Sequence, residues 1–395
     1  MIDALLLLVA PSRESRDKAA HFAAAAKALG LSAQVLESAD REQIMTMAPR
    51  GPGAYALACS DAMAHAAARL NEDNGHAAFS PALAAALADK ATGLPLLGRL
   101  LGLPPLPQLV PLAPDDLRAW QYDGPLIVKP CQSSGSWSPR PWGYRRFPSA
   151  RHFLDWLTAQ DLAAAFFLEQ QRSGPLGPNL LQAAIDSDRI ELAAVLLNSA
   201  GATLLCRCEG QFEPAAADQA GRRWQRGLYH AAAAPDLADR LPSLSAMIGQ
   251  ASGWGTGILH VQGMRSDSGF HLTDINLRLP STWDWLMAAL DPSYHRRLLA
   301  SLLFGEPFDP AWPAPAMAID LVHGPKGSRL LWIDHAPPGE GILPWRMRAA
   351  DCSRTRDGFD AAGQAASFIA VGGDAQTCNA RADTFRAAIR LEVAP

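Results

Sequence analysis

The 395-residue sequence lacks most of the signatures that assign a chain to a functional class directly. Its six cysteines (Cys59, Cys131, Cys206, Cys208, Cys352 and Cys378) have no framework spacing. That argues against a disulfide-built secreted fold and fits a reducing cytoplasm. Cys206-x-Cys208 is the one close pair, and alternation along a strand explains it more simply than a metal or redox motif. The ten histidines show no His-Glu-x-x-His pattern and no Cys/His ligand spacing, so the sequence gives no reason to expect zinc. With 35 basic against 39 acidic residues, a net charge of −4 and no basic cluster, the footprint of a nucleic-acid binder is missing. The apolar run Ala4 to Ala10 follows Asp3 rather than Lys or Arg and is too short to span a bilayer. It reads as a first buried strand, with neither signal peptide nor anchor. No Gly-x-Gly-x-x-Gly follows it, which removes the dinucleotide fingerprint.

What is present is an alternation of Ala-rich helical tracts with short apolar runs, in a chain that is 49% hydrophobic. That pattern favours α/β, and the length suggests two or three domains. Residues 1–85 read as βαβαβα, with strands at Leu5–Val9, Ala33–Leu36 and Tyr55–Cys59 and a third helix capped by Ser60. They look like a scaffold. Asp89-Lys90 then opens a helix ahead of a Pro-rich segment. Pro125–Pro130 is a strand carrying Lys129, and it runs into the loop Ser133-Ser134-Gly135-Ser136. Small and hydroxyl residues after a strand lysine suit a phosphate-covering loop, although Ser/Gly clusters are commonly loops and nothing more. Phe166–Gln171 reads as an apolar strand ending in Glu169, Gln170 and Gln171. Strands follow at Ile190–Leu197, whose Glu191 reads as an edge or solvated residue, and at Thr203–Cys208. Helices are expected at Leu241–Gly253, Trp283–Leu290 and Tyr294–Phe304. After the Pro-rich stretch from Gly305, residues 306–395 read as a small α+β unit ending in a helix, Asp374–Leu391.

The most informative stretch is 255–282, a β-hairpin with Ser266-Asp267-Ser268-Gly269 at its turn. On its return strand Asp274, Asn276 and Arg278 recur at a spacing of two and therefore share a face, with Leu272 on that face and Ile275 on the other. A carboxylate, an amide oxygen and a guanidinium are poor core chemistry. They suit either a hard-cation site beside an anion-binding arginine or a solvated hairpin face.

The order of these pieces resembles the ATP-grasp ligase superfamily. It comprises an N-terminal α/β layer, Asp89-Lys90, Lys129 before a Ser/Gly loop, a strand ending in Glu169 and the Asp274-x-Asn276-x-Arg278 hairpin. The resemblance covers most of residues 1–305 and is closest to predicted ATP-dependent carboligases related to biotin carboxylase. Trp332-x-Asp334-x-x-Pro337 and the terminal helix are similar to that group too. It implies a mixed α/β and α+β fold: a Rossmann-like layer over 1–85, a two-lobed ATP-grasp core over 86–305 and a C-terminal α+β unit over 306–395.

The resemblance further implies ATP and Mg²⁺ as cofactors. Lys90 and Lys129 would hold the phosphates under the loop Ser133–Ser136, and Lys129 would also serve catalysis. Glu169 would meet the adenosine, and Gln170, Gln171 and Arg172 the adenine edge. Asp274 and Asn276 would bind Mg²⁺, with Gln262 across the hairpin, and Arg278 would hold a substrate carboxylate or acyl phosphate. Gln262 stands where the family usually has an acidic residue, Asp274 where it commonly has Glu, and Trp137 follows a loop poorer in glycine. The expected activity is ligation of a small carboxylic acid to an amine, in cofactor synthesis (a methanopterin-type C1 carrier) or secondary metabolism. The alternative is a weakened nucleotide binder acting as sensor or scaffold. Small-molecule acid and amine are the expected partners, without nucleic acid or membrane, and a homodimer is compatible. His230, Arg145, Arg146 and His260 are secondary candidates: His230 reads equally as a surface histidine, Arg145 and Arg146 read first as a solvated loop, and His260 reads first as a satisfied, partly buried residue.

Overall fold

A computed structural model describes residues 2–132, 141–143, 145–171, 177–213, 216–219, 221–231, 235–247, 253–309, 316–324, 329–347 and 364–394. The loop Ser133–Ser136 and Arg172 lie outside them.

The N-terminal layer is a three-stranded parallel sheet, ordered β2-β1-β3, from Ala4–Val9 (β1), Ser32–Glu37 (β2) and Ala54–Ala58 (β3). Between them run Arg13–Ala28 (α1) and Arg41–Met47 (α2). Leu5 to Val9 are wholly buried, as an unbroken apolar run in a parallel strand requires. Such side chains contribute about 1.5–3 kcal/mol each. Ser12 caps α1 by accepting from the Ser15 N–H, whereas Ser60 makes no capping bond. The expected helix from Ser60 is instead a 3₁₀ turn, Asp61–Met63, followed by Ala64–Asp73 (α3). Pro81–Ala88 (α4) and Lys90–Leu100 (α5) complete this part.

A small lobe follows, with Gln108–Leu109 (β4), Pro114–Ala119 (α6), Leu126–Pro130 (β5), Arg145–Phe147 (β6), Ala150–Ala159 (α7), Ala163–Gln170 (α8) and Asn179–Ala183 (β7). Its antiparallel sheet runs β4-β7-β5-β6. Here the sequence reading needs correcting. Residues 166–171 are not a strand. Phe166 packs from α8 into an aromatic cluster with Phe153 and Trp142, and the strand paired to β5 is β7, eight residues beyond Gln171.

The main body is a nine-stranded sheet. It contains Arg189–Asn198 (β8), Gly201–Phe212 (β9), Ala216–Ala217 (β10), Arg223–Ala231 (β11), Gly257–Ser266 (β12) and Gly269–Asn276 (β13). The short helix Pro235–Arg240 (α9) precedes the hairpin β12-β13, and the expected helix from Leu241 is a 3₁₀ segment, Leu241–Met247. Ser281–Leu290 (α10) and Tyr294–Phe304 (α11) follow the hairpin. The sheet continues through Ala316–His323 (β14), and then, beyond Arg329–Asp334 (β15), through Ile342–Met347 (β16) and Gln364–Gly372 (β17). Ala375–Ala388 (α12) is shorter than expected, because Arg390–Ala394 (β18) turns back to pair with β15. Strands 316–372 thus extend the same sheet through the β11–β14 pair. Cys206 and Cys208 lie buried and unpaired to each other on β9, as strand alternation suggested.

Two apolar clusters sandwich this sheet. Leu259, Val261, Ile275 and Leu277 face one, with α3, α4 and α5, while Ile258 and Leu279 face the other, with α1, α10 and α11. Among the described residues no helix is long and apolar enough to cross a membrane.

Candidate active site

The hairpin is the edge of the sheet, and a bulge decides what it presents. Gln262 pairs with Asp274 but Gly263 pairs with Leu272, leaving Thr273 as the extra residue. The bulge reverses the alternation on its far side. Leu272 and Phe270 therefore join the cluster containing Ile275 and Leu277, and the expected placement of Leu272 beside Asp274 does not hold. Asp274, Asn276 and Arg278 do share a face, with Gln262 and His260 opposite the first two.

Two lysines meet this face from different elements. Asp89 caps α5 by accepting from the Ala91 N–H, and the Lys90 N–H donates to the Cys131 carbonyl (2.8 Å) at the end of β5. That contact brings Lys90 beside Lys129. Lys90 is 1% exposed, and its Nζ lies 2.6 Å from Oδ1 of Asp274, a side chain 25% exposed. Lys129 donates from Nζ to the carbonyl of Thr273, the bulged residue. Burial pushes Lys129 down to about 8, against the pull of Asp274. Burial opposes ionisation of Asp274 as well, but Lys90 and Lys129 outweigh it and hold its carboxyl at about 2. Asn276 donates Nδ2 to Oδ2 of Asp274 (3.3 Å) and lies 3.2 Å from Nδ1 of His260. Its Oδ1 is buried with no hydrogen-bond partner among the described residues. His260 is pushed down to about 3 by burial and by Arg278, so it is neutral.

An ionised carboxylate beside an unsatisfied amide oxygen is a hard-oxygen donor set, the kind Mg²⁺ takes together with water and phosphate. Gln262, half-buried opposite Asp274, adds an uncharged oxygen. The residues fit a magnesium–nucleotide complex.

Arg278 is held by the N-terminal layer. Its Nε donates to Oδ2 of buried Asp61 (2.9 Å), whose Oδ1 accepts from the Leu277 N–H (3.1 Å). Its Nη1 reaches the Leu279 carbonyl (3.3 Å) and Ser281 Oγ (3.2 Å). Lys18 on α1 donates to the same two acceptors at 3.0 and 3.3 Å, and Ser281 donates to Glu14. Asp61, Lys18 and Glu14 were not singled out in the sequence, since nothing local marks them.

The remaining candidates are dispersed. Glu169 lies in the last turn of α8. Gln170 is a structural clamp: Nε2 donates to the Pro111 (2.9 Å) and Asn179 (3.0 Å) carbonyls, and Oε1 accepts from Asn179 N (2.6 Å) and Nδ2 (2.7 Å). Gln171 is exposed. Gln182 on β7, missed in the sequence, lies on the Lys129 face of the small sheet, because Lys129 pairs with Leu180 and Ile127 with Gln182. It lines a hollow with Leu94, Pro104, Gln108 and Leu272, and its Nε2 is buried without a partner among the described residues. Arg145 stacks over Trp156, Arg146 pairs with exposed Asp186 (3.3 Å), and His230 is exposed on β11. Glu191, expected at an edge or in solvent, is buried and accepts from the Leu237 N–H (3.1 Å).

No family model matches the sequence, and no curated protein matches it. Solved structures do. An L-amino acid ligase from Bacillus licheniformis superposes with a TM-score of 0.69 at 12% identity, over 99% of this chain and 98% of that one. The biotin carboxylase domain of the Hydrogenobacter thermophilus 2-oxoglutarate carboxylase, crystallised as a dimer with MgADP, ADP and bicarbonate, gives 0.61 at 13%, covering 100% and 91%. Carboxyaminoimidazole ribonucleotide synthase from Aspergillus clavatus, complexed with ATP, gives 0.60 at 11%, covering 98% of each chain. All three are ATP-grasp ligases. At such identities the similarity is one of fold, and the fold of this chain is that of the ATP-grasp ligases.

Proposed function

We propose that the protein is an ATP-dependent ligase that activates a small carboxylic acid as its acyl phosphate and joins it to an amine. The observation that carries this reading is the seam between the small lobe and the hairpin. There Lys90, Lys129, Asp274 and Asn276 converge, with Arg278 two residues further along the same face.

Phosphoryl transfer needs alignment and charge neutralisation more than covalent help from the protein. Lys90 and Lys129 supply cationic donors for the polyphosphate. Asp274 and Asn276 would hold Mg²⁺, which would supply positive charge to offset that of the polyphosphate. Arg278, fixed through Nε by Asp61, orients the acid. A carboxylate oxygen attacks the γ-phosphorus, the bond to the β-phosphate oxygen breaks, and ADP leaves. The amine nitrogen then attacks the acyl carbon, phosphate departs, and the nitrogen loses a proton.

Gln182, rather than Glu169, is proposed to face the nucleotide base. It is supported by its place on the Lys129 face and by its unsatisfied buried amide. Gln182→Leu should weaken ATP binding, and Glu169→Ala should leave it intact.

The second reading, a nucleotide-binding sensor or scaffold, is favoured by the neutral Gln262 opposite Asp274. ADP release against panels of carboxylic acids and amines separates the two. A turning-over acid–amine pair supports the ligase. Tight ATP·Mg²⁺ binding with no stimulation of ADP release by any acid pool or cell extract refutes it.

A further inference from the structure

Away from the lysine–hairpin seam, three helices bring two imidazoles and a carboxylate together. His21 on α1, Asp284 on α10 and His295 on α11 each place one ligand atom within 4.8 Å of the others. Nδ1 of His21 lies 3.0 Å from Oδ2 of Asp284, and Nε2 of His295 lies 2.8 Å from Oδ1. His21 and Asp284 are 263 residues apart, so no sequence spacing announces the group.

We propose that His21, Asp284 and His295 form a binding site for a transition-metal dication of the zinc class, separate from the magnesium site. A N₂O donor set suits such ions, because imidazole prefers zinc and its neighbours whereas Mg²⁺ seeks oxygen. Zinc bonds of about 2.0–2.2 Å imply ligand atoms about 3.3 Å apart in a tetrahedron, a spacing that lies within the 4.8 Å spread of one ligand atom from each residue.

The surroundings fit. Asp284 and His295 are buried, and the rings of Phe22 and Tyr294 pack edge-on against His295 at 5.3 Å. Lys18 directs its ammonium to the Leu279 carbonyl (3.0 Å). The His21 side chain is 26% exposed, which gives an ion a route in. A bound ion would link α1 of the N-terminal layer to the start of the segment after Arg278, since α10 opens at Ser281.

The test uses the tag-free full-length protein without nucleotide, so it is independent of the ligase reading. After dialysis against Zn²⁺, metal content is measured by mass spectrometry and affinity by calorimetry. Co²⁺ substitution is followed by its visible absorption. We expect one Zn²⁺ per chain, undisturbed by excess Mg²⁺, and a loss of more than about 100-fold in affinity in His21→Ala, beyond what changes outside the ligand shell cost. His230→Ala, which removes an exposed imidazole elsewhere, should bind as the wild type does. Because His21 is partly exposed, its variant should fold, and circular dichroism checks this. Zn²⁺ binding no tighter in the wild type than in His21→Ala, or equal displacement by Mg²⁺, would overturn the proposal. The three residues would then be a hydrogen-bonded group alone.

Discussion

Asp274→Asn removes a carboxylate that both buried lysines face, and two separable losses follow. The first is structural. Lys90 is 1% exposed and its ion-pair partner is Asp274 at 2.6 Å. Removing one partner of a buried ion pair costs about 3–5 kcal/mol, and the 25% exposure of the Asp274 side chain argues for the lower end, about 3 kcal/mol. At about 2 °C per kcal/mol for a large domain, the nucleotide-free variant should melt about 6 °C lower. The second loss is functional. The variant keeps an oxygen at the proposed metal position but no charge, so Mg²⁺-dependent ATP binding should weaken and ADP release fall by about 10²–10³-fold, the scale on which a removed electrostatic element acts. Scanning fluorimetry without nucleotide reads the first loss. Coupled ADP release, or Mg²⁺-dependent binding of a non-hydrolysable ATP analogue, reads the second. A variant that melts with the wild type shows that Asp274 does not hold Lys90. A variant that retains Mg²⁺-dependent turnover refutes the metal assignment, whatever its stability.

Three further perturbations test neighbouring groups. Lys129 is held at about 8, so raising the pH to 9 should discharge most of it in the free protein and weaken ATP about tenfold. Lys129→Arg, which stays charged, should lose that pH dependence even if its overall affinity is lower, and an unchanged profile would show that Lys129 does not meet the phosphates. Gln262→Glu places a second carboxylate directly across from Asp274 and should tighten Mn²⁺ binding in the presence of nucleotide, read by calorimetry, whereas no change would place Gln262 outside the ion's reach. Burial raises Glu191 to about 7 from its ordinary 4.5. The folded state therefore holds its proton more tightly than the unfolded chain, and stability falls as the pH rises from about 4.5 through 7. Glu191→Gln should flatten that slope and raise stability at pH 8 by up to about 3 kcal/mol, measured by urea unfolding.

Much of the fold was legible because local patterns agree with it. The apolar run Leu5–Val9, the β-hairpin within 255–282 and the polar spacing of two on its return strand all survive in three dimensions. The errors have specific causes. Phe166 to Leu168 is the more apolar run, and it took the place of Asn179–Ala183, whose strand character comes from pairing on both sides with β5 and β4. With it went Gln182, which only that pairing sets on the Lys129 face. Leu272 was assigned to the wrong face because a one-residue bulge leaves no mark in composition. Asp61 meets Arg278 across 217 residues, a contact no spacing rule can find.

The same long-range contacts change the part played by residues 1–85. A scaffold needs only apolar packing, and the N-terminal layer has that in Leu5 to Val9. It also sends three charged side chains to one segment of the hairpin exit. Asp61 takes Nε of Arg278 and the Leu277 N–H, Lys18 takes the Leu279 carbonyl and Ser281 Oγ, and Glu14 accepts from Ser281. A guanidinium fixed through Nε has its plane set and its terminal nitrogens aimed, which a solvated arginine on a hairpin end does not. Asp61 also outweighs the burial that would otherwise lower the Arg278 pKa, so the charge persists in a nearly dry setting. An anion meeting it there needs little reorganisation of the protein, and this is the condition under which a single arginine can orient a small carboxylate. The layer would thus form a wall of the proposed site, and its charged residues should prove as sensitive to substitution as the hairpin they hold.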